Sequence, residues 1–117
     1  MRGREAGRIL GPDPAGAVAQ IAERVLALVD AQTGAELVTT LAGGMRLADY
    51  LPTRTFELTV HTTDLATALG EAPDVPPAAA EQALQVIAEI VVADGRAAPL
   101  LLATTGRQGL PPGFSVL

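Results

Sequence analysis

The stretch of sequence that most strongly indicates the fold is LADYLPTRTFELTVHTTDLATALG, residues 47–70. Asp49 is a candidate N-cap, and Pro52 falls in the first turn after it, where a helix tolerates proline. Gly70 is a typical stop signal, because glycine readily adopts the left-handed conformation that closes a helix. These signals predict a helix over 49–69.

Two more helices are predicted from the same kinds of signal. Asp13 and Pro14 are a cap followed by a proline at the first helical position, and apolar residues then recur at helical spacing, which predicts a helix over 14–32. After Pro77 a wide apolar face and a polar face predict a third helix, over 77–93. The apolar face of this third helix consists of Ala80, Ala83, Leu84, Ile87, Ile90 and Val91.

A small β-hairpin is predicted near 37–47, where strand-favouring residues flank the turn signal Gly43-Gly44. Residues 96–105 are compatible with a short fourth helix. The sequence therefore predicts a mainly α fold, with about three main helices, a small hairpin and an extended C-terminal tail.

The two ends of the chain lack the helical periodicity of its middle. Residues 1–11 are rich in glycine and arginine without periodicity, so they are expected to be a flexible lead-in to a single helical domain over 12–117. In the tail, Phe114 and Leu117 are expected to pack back on the body of the protein.

Composition limits the class of protein. The 117 residues carry a net charge of −5 and include no cysteine, which excludes disulfide scaffolds and thiol nucleophiles. The basic residues are scattered arginines without a stacking platform, so no nucleic-acid partner is expected. No apolar run reaches the ~20 residues that span a membrane, and no signal peptide is evident, so a cytoplasmic protein without membrane contact is expected.

One group of side chains has the spacing of a chemical site. Glu57, His61 and Asp64 are related as i, i+4 and i+7, which places them on one face of the predicted helix. A carboxylate and an imidazole one turn apart can share a metal ion, although two ligands alone do not complete a site. The alternative is a simple Glu–His surface pair with a solvated Asp64, and spacing alone favours it.

Neighbouring polar residues allow further interpretations. Arg54 lies three residues before Glu57, so it could pair with that carboxylate or orient an anionic substrate; a surface ion pair is the default. Thr59, Thr62 and Thr63 could line a polar pocket, although threonine often fills half-buried helical positions. No residue is assigned as catalytic.

The pattern Arg54-Thr-Phe-Glu57-x3-His61-x2-Asp64-Leu65 resembles the mycothiol-dependent maleylpyruvate isomerase family, within the DinB-like superfamily. The ending at 105–117 is also similar, and the resemblance covers about 14–117. It implies a partial DinB-like helical bundle that corresponds to the C-terminal part of a family member. It also implies a divalent metal, usually zinc, with Glu57 and His61 as ligands, and mycothiol as the thiol cofactor. Asp64 could then orient one of the two ligands.

The same resemblance implies that parts of the site lie outside this sequence. The third metal ligand of the family is a histidine on an earlier helix, and that helix and a second bundle helix are absent here. The chain is therefore expected to be a truncated member, a fragment of a longer protein, or a half-bundle completed by a homodimer or by a partner that supplies the missing helices. Such a protein would be incomplete as an enzyme on its own. The alternative is a non-catalytic helical module for self-association or partner binding.

Overall fold

The computed structural model describes residues 2–41 and 43–117, and this part of the chain is mainly helical with one small hairpin, as the sequence predicts. The helices are α1 (Arg2–Ile9), α2 (Pro14–Asp30), α3 (Leu47–Leu69), α4 (Pro77–Ala93) and α5 (Ala97–Thr104). The strands β1 (Leu37–Thr40) and β2 (Gly43–Arg46) form an antiparallel pair. No helix among the described residues combines the length and apolar character needed to span a membrane.

The chain divides into two compact units, which we call unit 1 (Met1–Glu36) and unit 2 (Leu37–Leu117). The predicted single domain over 12–117 stays a prediction. Unit 1 contains α1 and α2, so the lead-in expected over 1–11 is helical over residues 2–9, since arginine, glutamate and alanine form helices readily.

The start of α2 confirms the predicted cap and its end corrects the predicted length. The side chain of Asp13 accepts a hydrogen bond of 3.0 Å from the backbone N–H of Gly16. The helix ends at Asp30 and not at residue 32. None of its described side chains is buried.

Unit 2 opens with the hairpin, and its register corrects the predicted turn. Leu37 pairs with Arg46 and Thr40 pairs with Gly43, so both Gly43 and Gly44 lie within β2. The Thr40 hydroxyl donates a hydrogen bond of 2.8 Å to the Gly43 carbonyl, which holds the strands together at the turn end.

The start of α3 also differs from the sequence-based expectation. The helix begins at Leu47, directly after β2, and its N-cap is the extended residue Arg46, not Asp49. Asp49 lies in the first turn and accepts hydrogen bonds from the Arg46 guanidinium at 2.7 and 3.0 Å. Pro52 is consequently inside the helix. The predicted end is confirmed, because Gly70 has a φ of +75° and its N–H bonds back to the last turn.

The core of unit 2 is small. Helix α3 packs against α4, the hairpin packs against α3, and α5 packs against α4. The buried apolar side chains of the described residues are Leu47, Phe56, Ala83 and Val91. Helix α4 has the predicted bounds, but Leu84, on its predicted apolar face, is exposed.

The C-terminal tail is tied to unit 2 through Arg96. This guanidinium donates a hydrogen bond of 2.7 Å to the Ser115 carbonyl, lies 5.5 Å from the centroid of the Phe114 ring, and pairs with Asp94. Phe114 is half-buried, as expected. The expectation for Leu117 is wrong, because this side chain is exposed.

Candidate functional site

Helix α3 places the three predicted site residues along one exposed face. The Glu57 carboxylate lies 3.3 Å from Nε2 of His61, and the Asp64 carboxylate lies 3.6 Å from Nδ1 of the same ring. The His61 side chain is 67% exposed, and both carboxylates are also reached by solvent. The structure thus brings Glu57, His61 and Asp64 together as a chain of three groups with the imidazole in the middle.

The separation of Glu57 and His61 suits two ligands of one metal ion. Tetrahedral zinc holds nitrogen and oxygen ligands at about 2.0–2.1 Å, so two such ligands lie about 3.3 Å apart. The observed 3.3 Å between Glu57 Oε2 and His61 Nε2 matches this value. Asp64 faces the other ring nitrogen, where a carboxylate commonly fixes the orientation of a metal-bound histidine.

These residues fit only half of a metal site. Asp64 is on the opposite side of the imidazole from Glu57, so it does not reach an ion held at Nε2. Within residues 2–41 and 43–117, no three His, Cys, Asp or Glu side chains converge on a point where a metal ion could be held. Glu57 and His61 thus correspond to two of the four donors of a tetrahedral site.

Arg54, the fourth predicted site residue, is not paired with Glu57. Its guanidinium lies 4.9 Å from the centroid of the Tyr50 ring, and Nε donates a hydrogen bond of 3.2 Å to the Thr53 hydroxyl. In the described part of the chain no carboxylate is within ion-pair distance of it. The default expectation of an Arg54–Glu57 ion pair is therefore wrong, because Glu57 instead faces His61.

Arg54 is also at the edge of a cleft between the hairpin and α3. This cleft has a volume of about 580 Å³, and its lining includes Thr39, Leu41, Met45, Tyr50, Thr53 and Arg54. Sequence reasoning missed it, because the hairpin residues reach α3 only through tertiary packing. The available signal was the i, i+4 spacing of Tyr50 and Arg54, which places an aromatic ring beside a cation on a helix.

The predicted polar pocket of threonines is instead part of an apolar groove. Thr59 and Thr63 lie beside Val60 and Leu84 in a groove of about 330 Å³ between α3 and α4. Their hydroxyls donate hydrogen bonds of 2.8 and 2.9 Å to carbonyls one turn earlier in α3. The hydroxyls are thereby engaged within their own helix. Thr62 is exposed and borders a neighbouring groove.

In comparisons with protein-family models, with curated proteins and with solved structures, nothing matches this chain. The resemblance to a metal-dependent family therefore rests on the residues of the 54–65 pattern and the 105–117 ending.

Proposed function

We propose that unit 2 supplies half of a divalent-metal site and that a second copy of the chain completes it. The observation that carries this proposal is the 3.3 Å separation of Glu57 Oε2 and His61 Nε2, with Asp64 behind the ring. The chain would be a partial member of the mycothiol-dependent isomerase and thiol-transferase family that it resembles. It would be incomplete as an enzyme without its second copy.

A symmetric dimer accounts for the donors that one chain lacks. Two copies related by a twofold axis would contribute two Glu57 carboxylates and two His61 imidazoles, which is the number of donors in a tetrahedral zinc site. The exposure of the His61 side chain leaves it accessible to such a partner.

The residues of the chain would have separate roles in this assembly. Glu57 and His61 would hold the ion, and Asp64, whose carboxylate lies 3.6 Å from Nδ1, would orient the His61 ring. One of the four donors would have to leave the ion for mycothiol to bind, and the metal would then supply a thiolate at neutral pH by lowering the pKa of the mycothiol thiol. We assign this chemistry to the cytoplasm, where thiols are kept reduced.

Zinc titration by calorimetry tests the proposal. We expect the wild-type chain to bind about one zinc per two chains, and we expect Glu57→Gln and His61→Ala to abolish that binding. Glu71→Gln is the matched control, because it removes a carboxylate just beyond the end of α3 and should leave zinc binding unchanged. Equal zinc binding by the wild type and His61→Ala would refute the proposal.

The apolar surface of unit 2 favours a second candidate, a non-catalytic module for helical self-association. Only four of its described side chains are buried and apolar, whereas a set of large apolar side chains in its helices remains exposed. This set consists of Leu58, Leu65, Leu69, Leu84, Val92, Leu101 and Leu102. A surface of this kind is typical of a face that a partner covers.

Light scattering of the eluting chain separates the two candidates. A dimer that forms equally with zinc, with a chelator and with the His61→Ala variant would favour the module. A dimer that requires zinc and His61 would favour the metal site. A strict monomer under all of these conditions would contradict both.

A further inference from the structure

The cleft between the hairpin and α3 combines a fixed cation with apolar walls. Its residues all belong to unit 2, and its volume of about 580 Å³ lies in the range of small-molecule sites. We infer that this cleft binds a small carboxylate that carries a planar apolar body, with Arg54 as the carboxylate anchor.

The orientation of Arg54 is set from two sides. The Tyr50 ring lies beneath the guanidinium, with 4.9 Å between Cζ and the ring centroid. Nε donates to the Thr53 hydroxyl at 3.2 Å, and that hydroxyl in turn donates to the Tyr50 carbonyl at 2.7 Å. The Thr53 oxygen therefore has its proton directed away from Arg54 and accepts from it. These contacts favour one orientation of the planar group before any ligand binds.

The end of the guanidinium remains available to a ligand. The hydrogen bond from Nε to Thr53 is the one that Arg54 makes within residues 2–41 and 43–117, and no carboxylate there neutralises its charge. The two terminal nitrogens can thus donate a pair of parallel hydrogen bonds, the geometry that a carboxylate accepts. An arginine is suited to this task because its fork is rigid and always charged.

The apolar side chains that line the rest of the cleft favour a ligand whose carboxylate is attached to an apolar group. Met45 and Leu41 contribute aliphatic surface from the hairpin, and the half-buried Tyr50 contributes an aromatic ring from α3. Methionine adapts its shape and makes favourable sulfur contacts with aromatic rings. A planar ring bearing a carboxylate therefore matches both the charge and the surface of the cleft better than a compact hydrated anion.

This inference goes beyond the proposed metal site and does not depend on it. Arg54 lies about 4.5 Å along the helix axis from Glu57, since three residues rise 1.5 Å each. None of the residues that line the cleft is a proposed metal ligand. Failure of zinc binding would not affect the proposal for the cleft, and failure of carboxylate binding in the cleft would not affect the proposed metal site.

The probe we choose is benzoate, followed by ¹H–¹⁵N NMR of the full chain without metal. We expect saturable shifts of the Arg54 Nε–H and of the Tyr50 and Thr53 amides, with a dissociation constant in the millimolar range typical of so small a ligand. Arg54→Gln should weaken binding at least about tenfold, because charge-assisted hydrogen bonds are lost. Arg54→Lys, which keeps the charge but loses the fork, should weaken it less.

Control variants and control ligands distinguish the contribution of the carboxylate to binding from that of the apolar body. Arg107→Gln removes one arginine elsewhere in unit 2 and should leave benzoate binding unchanged, as should His61→Ala. Benzamide, which lacks the charge, and inorganic phosphate, which lacks the ring, should both bind at least about tenfold more weakly than benzoate. Equal benzoate binding by the wild type and Arg54→Gln would overturn the assignment of Arg54. Phosphate or benzamide binding as tight as that of benzoate would overturn the ligand class.

Discussion

Replacing Phe56 by alanine should remove much of the stability of unit 2. Phe56 is 4% exposed, and its companions in the buried core are Leu47, Ala83 and Val91. Truncating a buried phenylalanine costs about 3–5 kcal/mol, as the sum of a lost transfer free energy and a cavity. The whole free energy of unfolding of a small domain is about 5–15 kcal/mol, and a core this small suggests the lower end.

Urea and thermal unfolding followed by circular dichroism would measure this loss. At about 4 °C per kcal/mol, Phe56→Ala should lower the melting temperature by at least about 12 °C. Leu58→Ala is the matched control on the same helix, because Leu58 is 69% exposed and little of it is removed from water. Its cost should stay under about 1 kcal/mol at low protein concentration. A Phe56→Ala variant as stable as Leu58→Ala would refute the assignment of Phe56 to the core.

Three further perturbations test separate contacts. Glu36 accepts hydrogen bonds, above all from the Thr33 N–H, that lower its pKa from 4.5 to about 2. Because the folded pKa is lowered, this stabilisation should be present above pH 4.5 and lost between about pH 4.5 and 2, and a carboxyl NMR titration would check it. Gly70→Ala should cost about 1 kcal/mol in urea unfolding, because φ is positive there, whereas Gly109→Ala should cost little. Arg96→Ala should release the C-terminal tail, and hydrogen exchange of the tail amides should then accelerate.

The ends of helices were predictable where a local residue determines them. Gly70 stops α3 and Pro77 opens α4, and both act through their own backbone preferences. The start of α3 was not predictable in this way, because the extended conformation of Arg46 comes from its pairing with Leu37 across the hairpin. Strand register, not local turn preference, also places Gly43 within β2.

The same distinction between local preferences and tertiary packing applies to the candidate site. The i, i+4 and i+7 spacing of Glu57, His61 and Asp64 was sufficient to place them on one face, since helix geometry fixes that relation. The pairing of Arg54 with Tyr50 follows from their i, i+4 spacing on α3, but the cleft beside it depends on where the hairpin packs. The exposure of Leu84 was unpredictable for a related reason, because periodicity shows which face is apolar but not what covers it.

Native mass spectrometry of the purified chain after addition of zinc tests the central claim most directly. We predict a species with the mass of two chains and one zinc ion, which disappears in the His61→Ala variant while the chain itself stays folded. A wild-type chain that remains a zinc-free monomer, or a dimer whose zinc content is unchanged in His61→Ala, would contradict the account.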